Sequence, residues 1–276
     1  MTKIAIVASQ GGMTCAYSVG ATLALAGKHD LRDPEIIIGC SGSAGTLAYF
    51  VAKQYAEFRN VWENRLTTRK FISFARLHRI MNIDYMIDEV FKKQEPLNDA
   101  AVRASKTEFL IGVTDAETGQ SRYISNRSQV DVFEAIRASC AVPVIYNKQV
   151  SIEGKKYIDG AISNQFYTNI DKARSSGAEK IVAIDNADSD RNYSWDLELY
   201  LLFRDQKFGK NVRAGLVLEQ KHRQRYSQDP NVYIIRPSKK IPVRTLDVSE
   251  RHIKDTISLG YNDVAENRKL SQFLSK

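Results

Sequence analysis

The chain has 276 residues, of which 43% are hydrophobic and 26% are charged. These proportions are typical of a globular protein, and the length suits one α/β domain with a large core. No apolar run approaches the roughly 20 residues needed to cross a bilayer, and polar residues follow the short N-terminal apolar run at once, so neither a membrane span nor a secretion signal is predicted. The net charge of +8 favours an anionic partner, such as a lipid surface, nucleic acid or acidic protein.

Strands alternate with helices along much of the chain. Apolar runs predict strands at 4–8, 36–38, 108–114, 180–185 and 232–235, and helical spacing predicts helices at 14–26, 44–55, 130–139 and 168–176. Hairpin signals predict shorter strands at 121–125, 149–152 and 155–158. This order predicts an α/β fold with a mainly parallel central sheet flanked by helices. We expect a single domain over 1–276, with a motif-bearing core at about 3–190 and a basic helical extension at about 191–276.

Two basic, aromatic stretches each allow two interpretations. Residues 59–104 are predicted to form a helical insert with apolar residues at helical spacing: Phe71, Phe74, Leu77 and Ile80. The favoured interpretation is an amphipathic helix docked on the core, and the alternative is a lid or a surface-binding segment. Helices are also predicted at 195–203 and 207–226, with either a solvated basic face or contacts with anionic phospholipid headgroups.

Residues 34–50, PEIIIGCSGSAGTLAYF, are predicted to form a buried strand, a sharp corner and a helix. A serine at such a corner exposes its hydroxyl above a helix N-terminus, as in the nucleophile elbow of G-x-S-x-G enzymes. Ser41 would lack the last glycine of that motif, whereas Ser43 would have Ser41 in place of the first. Because serine is small, Ser43 is the preferred nucleophile and Ser41 the alternative. Small residues then surround Ser43: Ser41, Gly42, Ala44 and Gly45.

The turn after the first strand carries Gly11, Gly12 and Met13 at the start of a helix. Its backbone N–H groups are candidates for an oxyanion hole, because neighbouring parallel strands would bring this turn beside the elbow. A dinucleotide-binding turn is the rival interpretation. It is disfavoured because Gln10 and Cys15 occupy glycine positions of G-x-G-x-x-G.

A general base is expected at the end of strand 155–158, where Asp159 precedes Gly160 and Ala161. Partial desolvation raises the pKa of a carboxyl group from ~4 towards neutrality, which makes it an effective base. A turn aspartate that caps the next segment is the simpler alternative. The histidines lie in polar stretches without the setting of a catalytic histidine: His29, His78, His222 and His252.

In this order, the three motifs resemble those of the patatin-like phospholipases. The run AIRASCAVPVIYNKQVSIEGKKYIDGAISNQF is especially similar to that family's approach to its catalytic aspartate. The resemblance covers roughly residues 3–190 and implies a three-layer sandwich with a Ser–Asp dyad of Ser43 and Asp159. It also implies an oxyanion hole from the backbone of Gly11, Gly12 and Met13, and hydrolysis of lipid acyl esters without metal or cofactor.

The sequence departs from the family's oxyanion motif, which reads glycine, glycine, glycine, any residue, arginine or lysine, glycine. Gln10, Thr14 and Cys15 replace the first glycine, the basic residue and the last glycine. The missing positive charge leaves the rate and the headgroup preference open. Two alternatives follow: a weakly active or non-catalytic lipid- or acyl-binding protein, and an esterase or thioesterase acting on soluble substrates.

The expected partner is a lipid or acyl-ester substrate, with an anionic membrane surface as an open alternative, and no nucleic acid is expected. The three cysteines, Cys15, Cys40 and Cys140, lack metal-ligand spacing and are predicted to be free, buried thiols of a reducing compartment. We therefore expect a cytoplasmic protein, with peripheral membrane contact as an open alternative.

Overall fold

The computed structural model describes residues 2–77, 79–186, 200–201 and 204–275. Within these ranges, one sheet contains eight strands: β1 Ile4–Ala8, β2 Ile36–Cys40, β3 Glu108–Asp115, β4 Ser121–Ser125, β5 Val150–Ile152, β6 Lys155–Asp159, β7 Lys180–Ile184 and β8 Val232–Ile235. Their order is β5-β6-β3-β2-β1-β7-β8, and β4 pairs with β3. The pairs among β1, β2, β3, β7 and β8 are parallel, whereas those made by β4, β5 and β6 are antiparallel.

The α-helices are α1 Ala16–Lys28, α2 Gly42–Val51, α3 Tyr55–Asn60, α4 Asp99–Ala104, α5 Val132–Ser139, α6 Phe166–Ser175, α7 Gln206–Tyr226, α8 Glu250–Ala265 and α9 Arg268–Ser275. Short 3₁₀ turns cover Gly12–Cys15 and Gly160–Ile162, and π-helical segments cover Val61–Arg65 and Tyr85–Gln94. In the part of the chain that the structure describes, no helix combines the length and the apolar character that crossing a membrane requires.

The two faces of the sheet pack against different helices. In β1, Ile6 and Ala8 lie in one apolar cluster with residues of α1, α2, α5 and α8. Ala5 and Val7 point to the opposite face, in a cluster with residues of α6 and with Tyr226 of α7. Since side chains alternate along a strand, a strand buried on both faces is uniformly apolar. The predicted α/β fold, with helices on both sides of a mainly parallel sheet, is confirmed.

The predicted amphipathic helix through Phe71 and Ile80 is wrong. Residues 66–77 and 79–82 belong to an irregular loop, loop 66–82, that is closed by a bridge between Ile72 and Met81. The Arg76 guanidinium stabilises the loop, because it donates hydrogen bonds to the backbone carbonyls of Arg69, Phe71, Arg79 and Ile80. In a helix, such carbonyls would accept hydrogen bonds from backbone N–H groups instead.

The C-terminal predictions have mixed outcomes. The helix predicted at 207–226 is confirmed as α7. The helix predicted at 195–203 falls outside the described residues apart from Tyr200 and Leu201. Helices α8 and α9 lie within the predicted helical extension at about 191–276, but their individual positions were not predicted. The single-domain assignment stays a prediction.

The register on β3 decides which residues meet at the centre of the sheet. One edge of β3 pairs with β4, through residues 110–114 of β3. The other edge pairs with β2 through residues 108–112 of β3 and with β6 through residues 113–115. Cys40 of β2 pairs with Gly112, and Asp159 of β6 pairs with the next residue, Val113. Strands β2 and β6 run in opposite directions, so their C-terminal ends face each other along this edge. The residue after Cys40 must therefore lie beside Asp159.

Helix α8 crosses α1 at two glycines. A Cβ on Gly20 would lie 1.8 Å from the Ile257 carbonyl oxygen, and one on Gly260 would lie 2.1 Å from the Tyr17 carbonyl oxygen. The two backbones are thus in direct contact, which a larger residue at either position would prevent. This contact ties α8 to α1, the helix that follows the turn at residues 11–13.

We expect Gly20→Ala to lower the free energy of unfolding by at least about 2 kcal/mol, because the methyl group forces the helices apart. Gly27→Ala, in the same helix but with open space around the added carbon, is the matched control. It should raise stability by about 0.5–1 kcal/mol through helix propensity. Denaturant unfolding of the two variants measures both effects, and equal stabilities would contradict the close helix crossing.

Candidate active site

Ser41 forms a strained corner between β2 and α2. Its backbone has φ 55° and ψ −136°, a combination that is unfavourable for residues other than glycine. The Ser139 hydroxyl accepts a hydrogen bond from the Ser41 N–H at 2.9 Å and donates one to the Gly112 carbonyl at 2.6 Å. The corner is therefore tied to β3 and held in the conformation of a nucleophile elbow.

The Ser41 hydroxyl contacts Asp159. Ser41 Oγ donates a hydrogen bond to Asp159 Oδ2 at 2.8 Å, and the Ala161 N–H donates to the other carboxylate oxygen at 2.8 Å. The backbone of Asp159 is held by Thr114, whose hydroxyl donates to its carbonyl, and by the Ala141 carbonyl, which accepts from its N–H. A serine and a carboxylate thus meet in the geometry that proton transfer requires.

Ser43, the nucleophile predicted from the sequence, does not lie opposite Asp159. Its hydroxyl is fully buried, accepts a hydrogen bond from the Cys40 N–H at 3.0 Å, and lies 2.8 Å from the Cys40 carbonyl and 3.2 Å from the Ala8 carbonyl. Ser43 therefore joins the ends of β1 and β2. The physical reason is the register on β3, which brings the first residue after β2, and not the third, to Asp159.

Glycine is required at several positions of the predicted motifs. A Cβ on Gly42 would lie 2.8 Å from the Gly12 carbonyl oxygen, so the elbow is in contact with the turn at residues 11–13. A Cβ on Gly160 would lie 2.2 Å from the Gly112 carbonyl oxygen, and one on Gly39 would lie 2.7 Å from Leu47. Gly45 packs against the ring of Phe91. Close packing explains these small residues.

The turn predicted as an oxyanion hole differs from expectation at Met13. The Met13 N–H donates to the Thr245 carbonyl at 3.0 Å and is therefore engaged. Within the described part of the chain, the N–H groups of Gly11, Gly12 and Gly42 have no hydrogen-bond acceptor. Gly12 has φ +57°, and a Cβ there would lie 2.6 Å from the Thr245 carbonyl oxygen.

The departures from the family motif have local roles. The Thr14 hydroxyl donates to the Gly11 carbonyl at 3.0 Å and so closes the turn. The Gln10 side chain donates to Gln165 at 3.1 Å. Cys15 is fully buried and lies against the elbow, since its sulfur would be 3.0 Å from a Cβ on Gly42.

Asp159 is 1% exposed, and this burial raises its pKa from the usual range to about 7, because an ionised carboxylate is poorly solvated in an apolar interior. The hydrogen bonds from Ala161 and Ser41 act in the opposite direction and limit the rise. A pKa near neutrality is suitable for a general base, since the group is then ionised yet basic at neutral pH.

Sequence reasoning missed the residues that hold the site in place. Ser139 and Thr114 act through the hydrogen bonds described above, and Asn186 holds the segment around the turn at residues 11–13. The Asn186 side chain donates to the Ser9 carbonyl at 2.6 Å and accepts from the Ser18 hydroxyl at 2.6 Å. Polar residues within apolar segments are the one available signal, because buried polar side chains need partners.

The described histidines have other partners. His29 hydrogen-bonds to the Val264 carbonyl, His252 pairs with Asp247, and His222 lies 3.8 Å from Asp171. His78 is outside the described residues. Across the described ranges, no cluster of three or more His, Cys, Asp or Glu side chains is arranged to hold a metal ion.

With this fold and elbow, the chain belongs to the patatin-like phospholipase family, whose sequence model matches residues 7–170. The uncharacterized protein YjjU of Escherichia coli (strain K12) is 26% identical over 199 residues, which are 70% of this chain and 54% of that protein. The chain thus spans about half the length of this curated relative. The crystal structure of VipD from Legionella pneumophila matches with a TM-score of 0.61 and 11% identity, over 100% of this chain and 67% of that chain. That match shows the shared fold.

Burial of Asp159 predicts that its charge opposes folding. The pKa of about 7 in the folded state exceeds the ~4 of an unfolded chain, so the folded state binds more protons between these values. The stability that the folded protein has with Asp159 protonated is present in full below pH ~4 and is lost as the pH rises through about 7.

We expect Asp159→Asn, which carries no charge, to be more stable than wild type by up to about 4 kcal/mol near pH 8, and to lose most of this advantage near pH 5. Thermal unfolding of both proteins across this range measures the difference. A difference that does not change with pH would contradict the raised pKa.

Proposed function

We propose that the chain is a serine acyl hydrolase that cleaves lipid acyl esters with Ser41 as nucleophile and Asp159 as general base. The observation that carries the proposal is the 2.8 Å hydrogen bond between the Ser41 hydroxyl and the buried Asp159 carboxylate at a strained elbow. Membership of the patatin-like phospholipase family supports an acyl ester as the substrate. This assignment moves the nucleophile by two residues from Ser43.

In the proposed reaction, Asp159 Oδ2 accepts the hydroxyl proton as Ser41 Oγ attacks the ester carbonyl carbon. The developing oxyanion is held by the N–H groups of Gly11, Gly12 and Gly42. Asp159 then returns the proton to the leaving alcohol, and an acyl-enzyme remains on Ser41. A water molecule then attacks the acyl carbonyl carbon while Asp159 takes its proton, and Asp159 returns that proton to Ser41 Oγ as the fatty acid is released.

The strained φ of Ser41 and the burial of Asp159 both serve this chemistry. The first holds the hydroxyl out of the regular helix, and the second raises the basicity of the carboxylate. The cytoplasm is the proposed compartment, because the three cysteines are free thiols, which persist in reducing conditions.

A second candidate function, a weakly active or non-catalytic lipid-binding protein, is favoured by one observation. The Met13 N–H is occupied by Thr245, so the turn at residues 11–13 offers two N–H donors for the oxyanion and not the three that the resemblance implies. Turnover of a simple ester by the wild-type protein decides between these candidates.

We expect Ser41→Ala and Asp159→Asn each to reduce kcat/KM on a short-chain p-nitrophenyl ester by at least about a thousand-fold, because each removes one partner of the proton transfer. Ser43→Ala is the matched control and should keep most of the activity. Its cost should appear in stability, about 1–3 kcal/mol, since the Cys40 N–H loses a partner. Loss of activity in Ser43→Ala with retention in Ser41→Ala would overturn the assignment, whereas an inactive wild type would favour the second candidate.

The pH dependence of wild-type kcat/KM should report the Asp159 carboxyl. A protonated carboxyl cannot accept the serine proton, so we expect kcat/KM to fall about ten-fold for each pH unit below about 7 and to level above it. A profile that stays flat down to pH ~5 would contradict the raised pKa of the base.

A further inference from the structure

Two neighbouring loops near the Ser41–Asp159 pair expose large apolar side chains. Phe74 and Leu77, in the turn of loop 66–82, are 66% and 80% exposed, and Val144 is 69% exposed. The loops are linked by a hydrogen bond from the Met81 N–H to the Ile145 carbonyl at 3.2 Å. We call Phe74, Leu77 and Val144 the apolar tip.

The loop that carries Phe74 and Leu77 is built to hold them outward. The Ser73 N–H donates to the Ile80 carbonyl at 2.8 Å, and the buried Phe71 and Ile72 anchor the loop on the core. Within it, the Arg76 guanidinium donates to four backbone carbonyls, those of Arg69, Phe71, Arg79 and Ile80. The exposure of the tip is thus a property of a folded loop.

Val144 occupies a conformation that its side chain disfavours. Its φ is 69°, in the left-handed region, which is a rare and strained location for a β-branched residue. Buried Tyr146 follows it and hydrogen-bonds to Asp84, which fixes this end of the segment. The strain persists because the surrounding structure holds it, and its result is an apolar side chain directed into water.

The segment with Val144 begins at the Ser41–Asp159 pair. The Cys140 thiol donates to the Ser41 carbonyl at 3.2 Å, and the Ala141 carbonyl accepts the Asp159 N–H at 3.0 Å. Within five residues the chain passes from this pair to the apolar tip. A surface bound to the tip would therefore lie next to the site.

The charge around the tip is positive. Between Glu63 and Asp84 the sequence contains no aspartate or glutamate but several arginine and lysine residues. Arg69 and Lys70 are exposed, and their side chains form no ion pair within the described residues. Exposed apolar side chains beside unpaired cations match the chemistry of an anionic phospholipid surface, which offers both hydrocarbon and negative headgroups.

We propose that the apolar tip inserts into an anionic phospholipid bilayer, with Arg69 and Lys70 against the headgroups, and so brings the Ser41–Asp159 site to lipid. The choice of a lipid partner rests on the proposed function, but the binding itself does not require catalysis. In this proposal, residues 59–104 provide a surface-binding segment, as in one of the two interpretations of the sequence, and the surface is an anionic bilayer.

The test is co-sedimentation with vesicles of equimolar phosphatidylcholine and phosphatidylglycerol. We expect Phe74→Ser/Leu77→Ser to weaken vesicle binding by about ten-fold or more, since these side chains leave water on insertion. Arg69→Gln/Lys70→Gln should weaken binding at low salt and reduce its salt dependence. Because all four side chains are exposed, both variants should keep the wild-type unfolding temperature and the wild-type rate on a soluble short-chain ester.

Val217→Ser/Leu218→Ser on α7 is the matched control, as these side chains are 54% and 48% exposed on another basic element. This variant should bind vesicles like the wild type. Wild-type binding by Phe74→Ser/Leu77→Ser would overturn the proposal, as would loss of binding in the α7 variant alone. If the expected binding pattern appears but the wild type hydrolyses no ester, the proposed function fails and the docking surface stands.

Discussion

The arrangement of the site depends on the way in which β2 and β6 share one edge of β3. Strand β2 ends at Cys40, opposite Gly112, and β6 ends at Asp159, opposite Val113. Because the two strands run in opposite directions, their C-terminal ends meet there. The Ser41–Asp159 hydrogen bond is the direct result. Close packing supports it, since Gly160 touches the β3 backbone and leaves no room for a side chain. The carboxylate is thereby buried, which is the cause of its raised pKa.

The fold and the order of the motifs were accessible from sequence, because they depend on local patterns. The isoleucines of β2, the glycines of the turn at residues 11–13 and the Asp-Gly pair at the end of β6 are each typical of their local structure. The choice between Ser41 and Ser43 was not accessible, since each lacks one glycine of G-x-S-x-G. Only the register on β3, a contact between distant segments, distinguishes them.

Other differences have the same origin. The Met13 N–H donates a hydrogen bond to the carbonyl of Thr245, which is more than two hundred residues away in sequence. No local sequence pattern predicts that contact. The apolar spacing of Phe71 and Phe74 is compatible with a helix, but hydrogen bonds from Arg76 stabilise a loop instead. In that loop Phe71 is buried in the core, whereas Phe74 faces solvent and is available for contact with another surface.

The proposed role of Ser41 as the nucleophile can be tested with a fluorophosphonate probe, because the probe forms a covalent bond with an activated serine hydroxyl. Peptide mapping of the labelled protein by mass spectrometry identifies the modified residue. We expect a single adduct on Ser41 that is absent from Asp159→Asn. An adduct on Ser43, or no adduct on the folded wild-type protein, would contradict this role of Ser41.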